Sequence, residues 1–220
     1  MYYRIGLDTG STTIKLVVID DKDKIIYQEY KRHFSDIKST IIELIENCYE
    51  GLGNISCKVC ITGSGGLSIS KWLSIPFEQE VIACSKAIRL FCPETDVAIE
   101  LGGEDAKITY FRGSMDQRMN GSCADGTGAF IDQMAALLDT DASGLNELAK
   151  AYEVIYPIAS RCGVFAKTDI PPLLNDGARK EDVAASIFQA VVNQTIGGLA
   201  CGMPIKGNVA LLGGPLYYLS

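Results

Sequence analysis

Two segments of this 220-residue chain set an acidic residue, glycine and a lysine in the same order: Asp8-Thr9-Gly10-Ser11-Thr12-Thr13-Ile14-Lys15 and Glu100-Leu101-Gly102-Gly103-Glu104-Asp105-Ala106-Lys107. Glycine lets backbone N–H groups approach phosphate oxygens closely, and a neighbouring carboxylate can hold Mg²⁺ directly or through water. One such turn suits any β-hairpin, but two in register suggest a clamp for a triphosphate. A third glycine turn, Leu212-Gly213-Gly214-Pro215, could let backbone pack against a purine. The segment Asp125-Gly126-Thr127-Gly128 opens a predicted helix and would offer N–H groups to an anion. Neither G-x-x-x-x-G-K-[ST] nor G-x-G-x-x-G occurs, which disfavours P-loop and Rossmann sites.

The eight cysteines raise a second kind of chemistry. Cys123, in Gly121-Ser122-Cys123-Ala124-Asp125-Gly126, and Cys162, in Ser160-Arg161-Cys162-Gly163, each stand just ahead of a predicted helix. A helix N-terminus favours the thiolate, the form that ligates metal, although two small buried residues would also fit such positions. Cys57 and Cys60 form a C-x-x-C pair inside a predicted strand, where side chains three apart point to opposite faces, so a shared metal is awkward. Cys48, Cys84, Cys92 and Cys201 fall in or beside apolar helical patterns and are expected as buried thiols. The single histidine, His33, is expected at the surface of a strand-to-helix turn, which excludes a Ser-His-Asp triad or a multi-histidine metal site. Trp72 reads as a packing residue, and Asp20-Asp21-Lys22-Asp23-Lys24 as a solvated hairpin tip.

These residues need a scaffold. Short β-branched runs at 3–8, 13–20 and 25–31 predict a three-stranded meander. Helical spacing of Ile37, Ile41, Ile42, Leu44, Ile45 and Cys48 predicts a helix over 35–49. A strand at Cys57 to Thr62, the turn GSGG and one or two helices up to Cys92 follow. Shifting the chain by 92 residues lays Asp8 on Glu100, Gly10 on Gly102 and Lys15 on Lys107, which suggests an internal duplication. Further helices are predicted over 126–138, 142–152 and 180–199, the last with Glu181, Ala184, Ile187, Val191 and Ile196 in a partly amphipathic pattern, and a final strand over 208–212. Six residues after Gly214 are too few for the helix that usually closes such a unit, so a fragment of a longer chain is expected.

Composition narrows the partners. Twenty Lys and Arg against 27 Asp and Glu give a net charge of −7, the wrong sign for binding nucleic acid or an anionic membrane, so any anion must be held locally. No apolar run approaches about 18 residues and the start MYYRIGLDTG carries no signal pattern, so the reading is cytoplasmic.

GLDTGSTTIK, IELGGEDAK and ALLGGP resemble the two phosphate motifs and the adenosine motif of the sugar kinase, Hsp70 and actin superfamily. NGSCADGTGAFID and ASRCGVFAKTDI resemble the activators of 2-hydroxyacyl-CoA dehydratases and the ATPase subunits of benzoyl-CoA reductases, over essentially the whole chain. The resemblance implies an α/β fold of two duplicated RNase H-like halves, 1–93 and 94–220, around a central nucleotide cleft. It implies an ATPase that passes a low-potential electron to a dehydratase or reductase partner. ATP or ADP and Mg²⁺ would be held by Asp8 (also the metal ligand), Gly10, Ser11, Thr12, Thr13, Lys15, Glu100, Gly102, Gly103, Gly126, Thr127, Gly128, Gly213 and Gly214. Glu104 or Asp105 would activate water; the short activators usually have Asp and Gln where this chain has Glu100 and Glu104. A [4Fe–4S] cluster needs four ligands. The family shares one cluster between two identical subunits, so a homodimer would supply Cys123 and Cys162 twice. A small ferredoxin- or flavodoxin-type protein would be the reductant. The rival readings are a sugar-type small-molecule kinase, marked by a carboxylate base and no cluster, and a non-catalytic ATP-binding regulatory module.

Overall fold

The first β-branched runs form β1 (Tyr3–Thr9), β2 (Thr13–Ile19) and β3 (Ile25–Arg32), an antiparallel meander, and β4 (Cys57–Thr62) adds parallel to β1, giving the order β3-β2-β1-β4. The computed structural model describes residues 2–121, 126–160 and 163–219. This first sheet belongs to a unit spanning Met1–Phe91. Side chains alternate across a strand, so Ile14, Leu16 and Val18 of β2 all reach one core, which α1 (Ile37–Leu52) closes with Ile41, Leu44 and Cys48. Burying each such Leu or Ile contributes about 1.5–3 kcal/mol. Asp36 caps α1 by accepting the Ser39 N–H at 3.1 Å. Ile42 and Ile45, expected on the apolar face, are exposed instead, and Thr40 takes a buried place. Two further helices, α2 (Gly66–Leu73) and α3 (Glu80–Phe91), complete the unit.

The second unit, Cys92–Ser220, repeats the plan. Strands β5 (Val97–Leu101), β6 (Ala106–Tyr110) and β7 (Asp116–Met119) form a meander, and β8 (Val209–Leu212) runs parallel to β5, in the order β7-β6-β5-β8. The polar strand β7, sequence DQRM, gave no alternation from which to expect it. All of β6 is buried. What differs is the crossover. Residues 33–56 carry one helix between β3 and β4, whereas the described residues of 120–208 carry four α-helices between β7 and β8: α4 (Gly128–Leu137), α5 (Ala142–Ala149), α6 (Gly163–Asn175) and α7 (Lys180–Gln194).

Among the described residues one helical stretch, Lys180–Ala200, is long and apolar enough by length and composition to cross a membrane, although Lys180, Glu181, Asp182, Gln189, Asn193 and Gln194 interrupt its apolar residues. Here its Val183, Ala184, Ile187, Val191 and Leu199 lie in the core of the second unit. The predicted α-helix ends early, because Thr195–Ala200 form a π-helical turn containing Gly197 and Gly198. This wider turn changes the phase of the helix face, and Ile196 is exposed rather than packed. After β8 the chain forms a short helix, α8 (Gly214–Tyr218), where none was expected.

Expectations about several single residues are corrected. Trp72 is 73% exposed, and Cys60, Cys92 and Cys201 are also exposed. Cys92 lies just beyond α3 and Cys201 ends the π-helical turn in a left-handed conformation, so neither sits on a helix face directed at a core. Among the described residues only Cys48 is a buried thiol, and burial pushes its pKa up. Asp20 is buried, not part of a solvated tip, because it accepts the N–H groups of Lys22 and Lys24 at 2.8 and 2.9 Å and organises the turn. His33 is likewise buried, at 6% exposure, for a reason that belongs to the site.

Candidate phosphate-binding turns

The β1–β2 and β5–β6 turns share one construction. Antiparallel register pairs Asp8 with Lys15 and Glu100 with Lys107. In each turn the first glycine closes the loop: Gly10 N–H donates to Thr13 O at 2.9 Å, and Gly102 N–H to Asp105 O at 2.7 Å. Ser11, Thr12, Gly103 and Glu104 donate no backbone N–H to another described residue. Ser11 and Glu104 are exposed, and Asp105 is half-buried. Exposed, unspent N–H groups at a glycine turn are what an anion requires.

A second glycine turn packs beneath each of these. Parallel register sets Thr62 beside Asp8 and Leu212 beside Glu100. The next residues, Gly63 and Gly213, have φ of +91° and +96°, and a Cβ would lie 2.4 Å from Thr9 O in the first case and 2.0 Å from Leu101 O in the second. Only glycine fits there. Gly65 N–H donates to Thr9 O at 2.9 Å. The sequence signal for Gly63 and Gly65 is the GSGG turn following a parallel strand, matching GGP after β8.

The segment Gly126-Thr127-Gly128 joins the second turn, but not as a free anion donor. Gly128 N–H donates to Gly102 O at 2.9 Å and Ala129 N–H to Gly103 O at 2.7 Å, so the start of α4 is seated on the turn. This corrects the expected role of Gly128, whose N–H is already occupied. Thr127 is fully buried, and Gly126, at φ +75°, leaves room for Gln194 beside the π-helical turn, where a Cβ would lie 3.1 Å from Cγ. Gly214 begins α8 beside Gly213.

The carboxylates differ. Lys15 Nζ meets Asp8 Oδ2 at 2.8 Å in a partly exposed pair, whereas Lys107 Nζ lies 3.6 Å from Glu100 Oε1 with the lysine almost wholly buried. Asp8 Oδ1, Thr9 Oγ1 and Thr62 Oγ1 are buried without a hydrogen-bond partner. Buried oxygens are rarely left so, and an orphaned carboxylate oxygen at a glycine turn fits a Mg²⁺ ion or its water. Among the described residues no three His, Cys, Asp or Glu side chains converge on a metal position. Cys123 and Cys162 lie outside the described residues, as do Ser122, Ala124, Asp125 and Arg161.

Two four-stranded sheets of matching strand order, each with glycine turns after corresponding strands, define a mixed α/β protein. Within that class, residues 5–215 match the BadF/BadG/BcrA/BcrD ATPase family, and the chain belongs to it. It is 30% identical to the (R)-2-hydroxyglutaryl-CoA dehydratase activating ATPase of Acidaminococcus fermentans, over 96% of this chain and 82% of that one. The crystal structure of component A of the Acidaminococcus fermentans (R)-2-hydroxyglutaryl-CoA dehydratase superposes with a TM-score of 0.88 at 27% identity, covering 98% of this chain and 84% of that one. The activator of the 2-hydroxyisocaproyl-CoA dehydratase from Clostridium difficile, solved with bound ADPNP, superposes with a TM-score of 0.83 at 28% identity, covering 97% and 80%.

Proposed function

We propose that this chain is an ATP-hydrolysing iron–sulfur activator that delivers a low-potential electron to a 2-hydroxyacyl-CoA dehydratase-like or related reductase partner. The observation that carries the reading is the pair of congruent glycine turns in a chain alike, over nearly its whole length, to dehydratase activators. N–H groups of Ser11, Thr12, Gly103, Glu104 and Asp105 would bind the phosphates, and Gly213 and Gly214 would let backbone approach the adenosine. Asp8 would hold Mg²⁺ through its orphaned Oδ1, and the bound ion would offset phosphate charge. Glu104 or Asp105, at the tip of the second turn, would orient the attacking water.

Cys123 and Cys162 from each of two subunits would ligate one [4Fe–4S] cluster, which supplies one-electron chemistry when bound. The sequence places Cys162 directly before α6 and Cys123 shortly before α4, and helix N-termini favour thiolate. A ferredoxin- or flavodoxin-type protein would reduce the dimer. Protein purified without oxygen should be brown, hold about four iron per dimer and hydrolyse ATP. Colourless protein from that preparation, with no iron and no hydrolysis, would overturn the reading. A Cys123→Ser dimer that still assembled the full cluster would overturn the ligand assignment alone.

A further inference from the structure

The residue that follows the third strand of each meander reaches back onto a glycine turn. His33, directly after β3, donates its backbone N–H to Thr12 O at 3.2 Å. Its Nδ1 lies 3.0 Å from the Ser35 N–H, so Nδ1 must accept and the ring proton sits on Nε2, which is 3.3 Å from Gly10 O. The backbone is bent to achieve this. Phe34 and Ser35 have φ of +45° and +68°, two consecutive left-handed residues that are not glycine, and Phe34 is 83% exposed. Such strain persists only where the surrounding structure holds it. The Asp36 N–H bonded to His33 O at 2.7 Å and the Asp36 cap on α1 close the bend from the other side.

Asn120, directly after β7, does the same in the second unit. Its N–H donates to Ala106 O at 2.9 Å, its Oδ1 accepts Ala106 N–H at 2.9 Å, and its Nδ2 donates to Glu104 O at 3.4 Å. The 92-residue offset that aligns the turns does not align His33 with Asn120, so the correspondence exists only in the fold.

In a trans peptide the C=O and the following N–H point in opposite directions. Holding Gly10 O therefore fixes where the Ser11 N–H points, and holding Glu104 O does so for the Asp105 N–H. Without that hold either peptide plane could flip and present a carbonyl to a phosphate. We propose that His33 and Asn120 are positioning residues that lock the peptide planes of the two turns for nucleotide phosphate. This rests on the phosphate reading of those turns.

As the only histidine, His33 gives a single imidazole signal, and ¹⁵N NMR of the full chain should show the Nε2–H tautomer. The Nδ1–H tautomer would overturn the clasp, whatever the protein binds. His33→Ala should weaken Mg·ATP binding about tenfold, and His33→Gln, whose carboxamide N–H reaches toward the same carbonyl, should recover most of it. Asn120→Ala should show a similar loss of Mg·ATP affinity. Alanine variants that are folded and bind as tightly as the parent, or a glutamine variant as weak as alanine, would overturn the proposal. A parent protein that binds no Mg·ATP would overturn the phosphate reading instead, while the tautomer still decides the clasp.

Discussion

The two halves build the same turn under opposite conditions. In the first, the lysine that pairs with the acidic residue is about a third exposed and close, at 2.8 Å from Asp8; in the second it is 5% exposed and 3.6 Å from Glu100. An orphaned carboxylate oxygen is found in the first turn, on Asp8. The second turn is instead built into a larger core, its carbonyls occupied by the start of α4. A duplicated geometry can thus be put to two uses: one turn keeps an unpartnered carboxylate oxygen, and the other is held rigidly by its surroundings. Glycine is common to both, because a positive φ and a backbone carbonyl within 2.4 Å of the Cβ position admit nothing else.

The shared part is where the largest effect should appear. Gly63→Ala and Gly213→Ala should each destabilise their own unit by about 3 kcal/mol or more, since strain adds to collision with backbone. Gly177→Ala, with φ +88° and open space around it, should lose only about 1–2 kcal/mol. Urea denaturation of the three variants checks this, and equal losses would show that collision with the turn contributes nothing.

The division of tasks can be tested next. Asp8→Asn should weaken Mg²⁺ dependence of ATP hydrolysis about 10–100-fold, whereas Glu100→Gln should change it much less. Equal effects on a Mg²⁺ titration would erase the distinction between the turns. On stability the order reverses. Lys107→Ala removes a buried charge and should lose about 2–3 kcal/mol, whereas Lys15→Ala should lose less than about 1 kcal/mol, a loss that shrinks as salt is added. Thermal melts at two ionic strengths separate them.

The smallest effect concerns the long crossover of the second half. Asp182 accepts the N–H groups of Glu153 and Val154 at 2.7 and 3.0 Å, which hold its carboxyl below the usual carboxylate range. A depressed pKa contributes stability that is present at neutral pH and lost as pH falls below about 4 and through the folded value. Asp182→Asn should flatten that acid decline in the second unit only, read from urea melts taken between about pH 7 and about pH 3.

Much of this was legible in the chain. Alternation gave β1, β2 and β3 within a residue or two, and the offset of 92 gave the second hairpin and its acid–lysine pair. Strand β7 was not legible, because DQRM pairs through backbone and has little apolar pattern. Nor was the exposure of Trp72, Cys92 and Cys201, since an apolar residue near a helix end belongs to a core only if the neighbouring element covers it. The residues with the strongest functional signal in sequence, Cys123 and Cys162, lie outside the described structure.

By itself, then, the sequence determined the first meander, the hairpin of the second, the duplication and the glycine-rich turns, because these follow from local periodicity and from φ angles that few residues adopt. Tertiary structure alone decided which groups are spent and which remain available. Gly128 lost its free N–H to Gly102, Asp8 kept an unpartnered oxygen, and a histidine expected at the surface was buried against Gly10. Hydrogen bonding and burial depend on neighbours far away in the chain, and no local pattern encodes them.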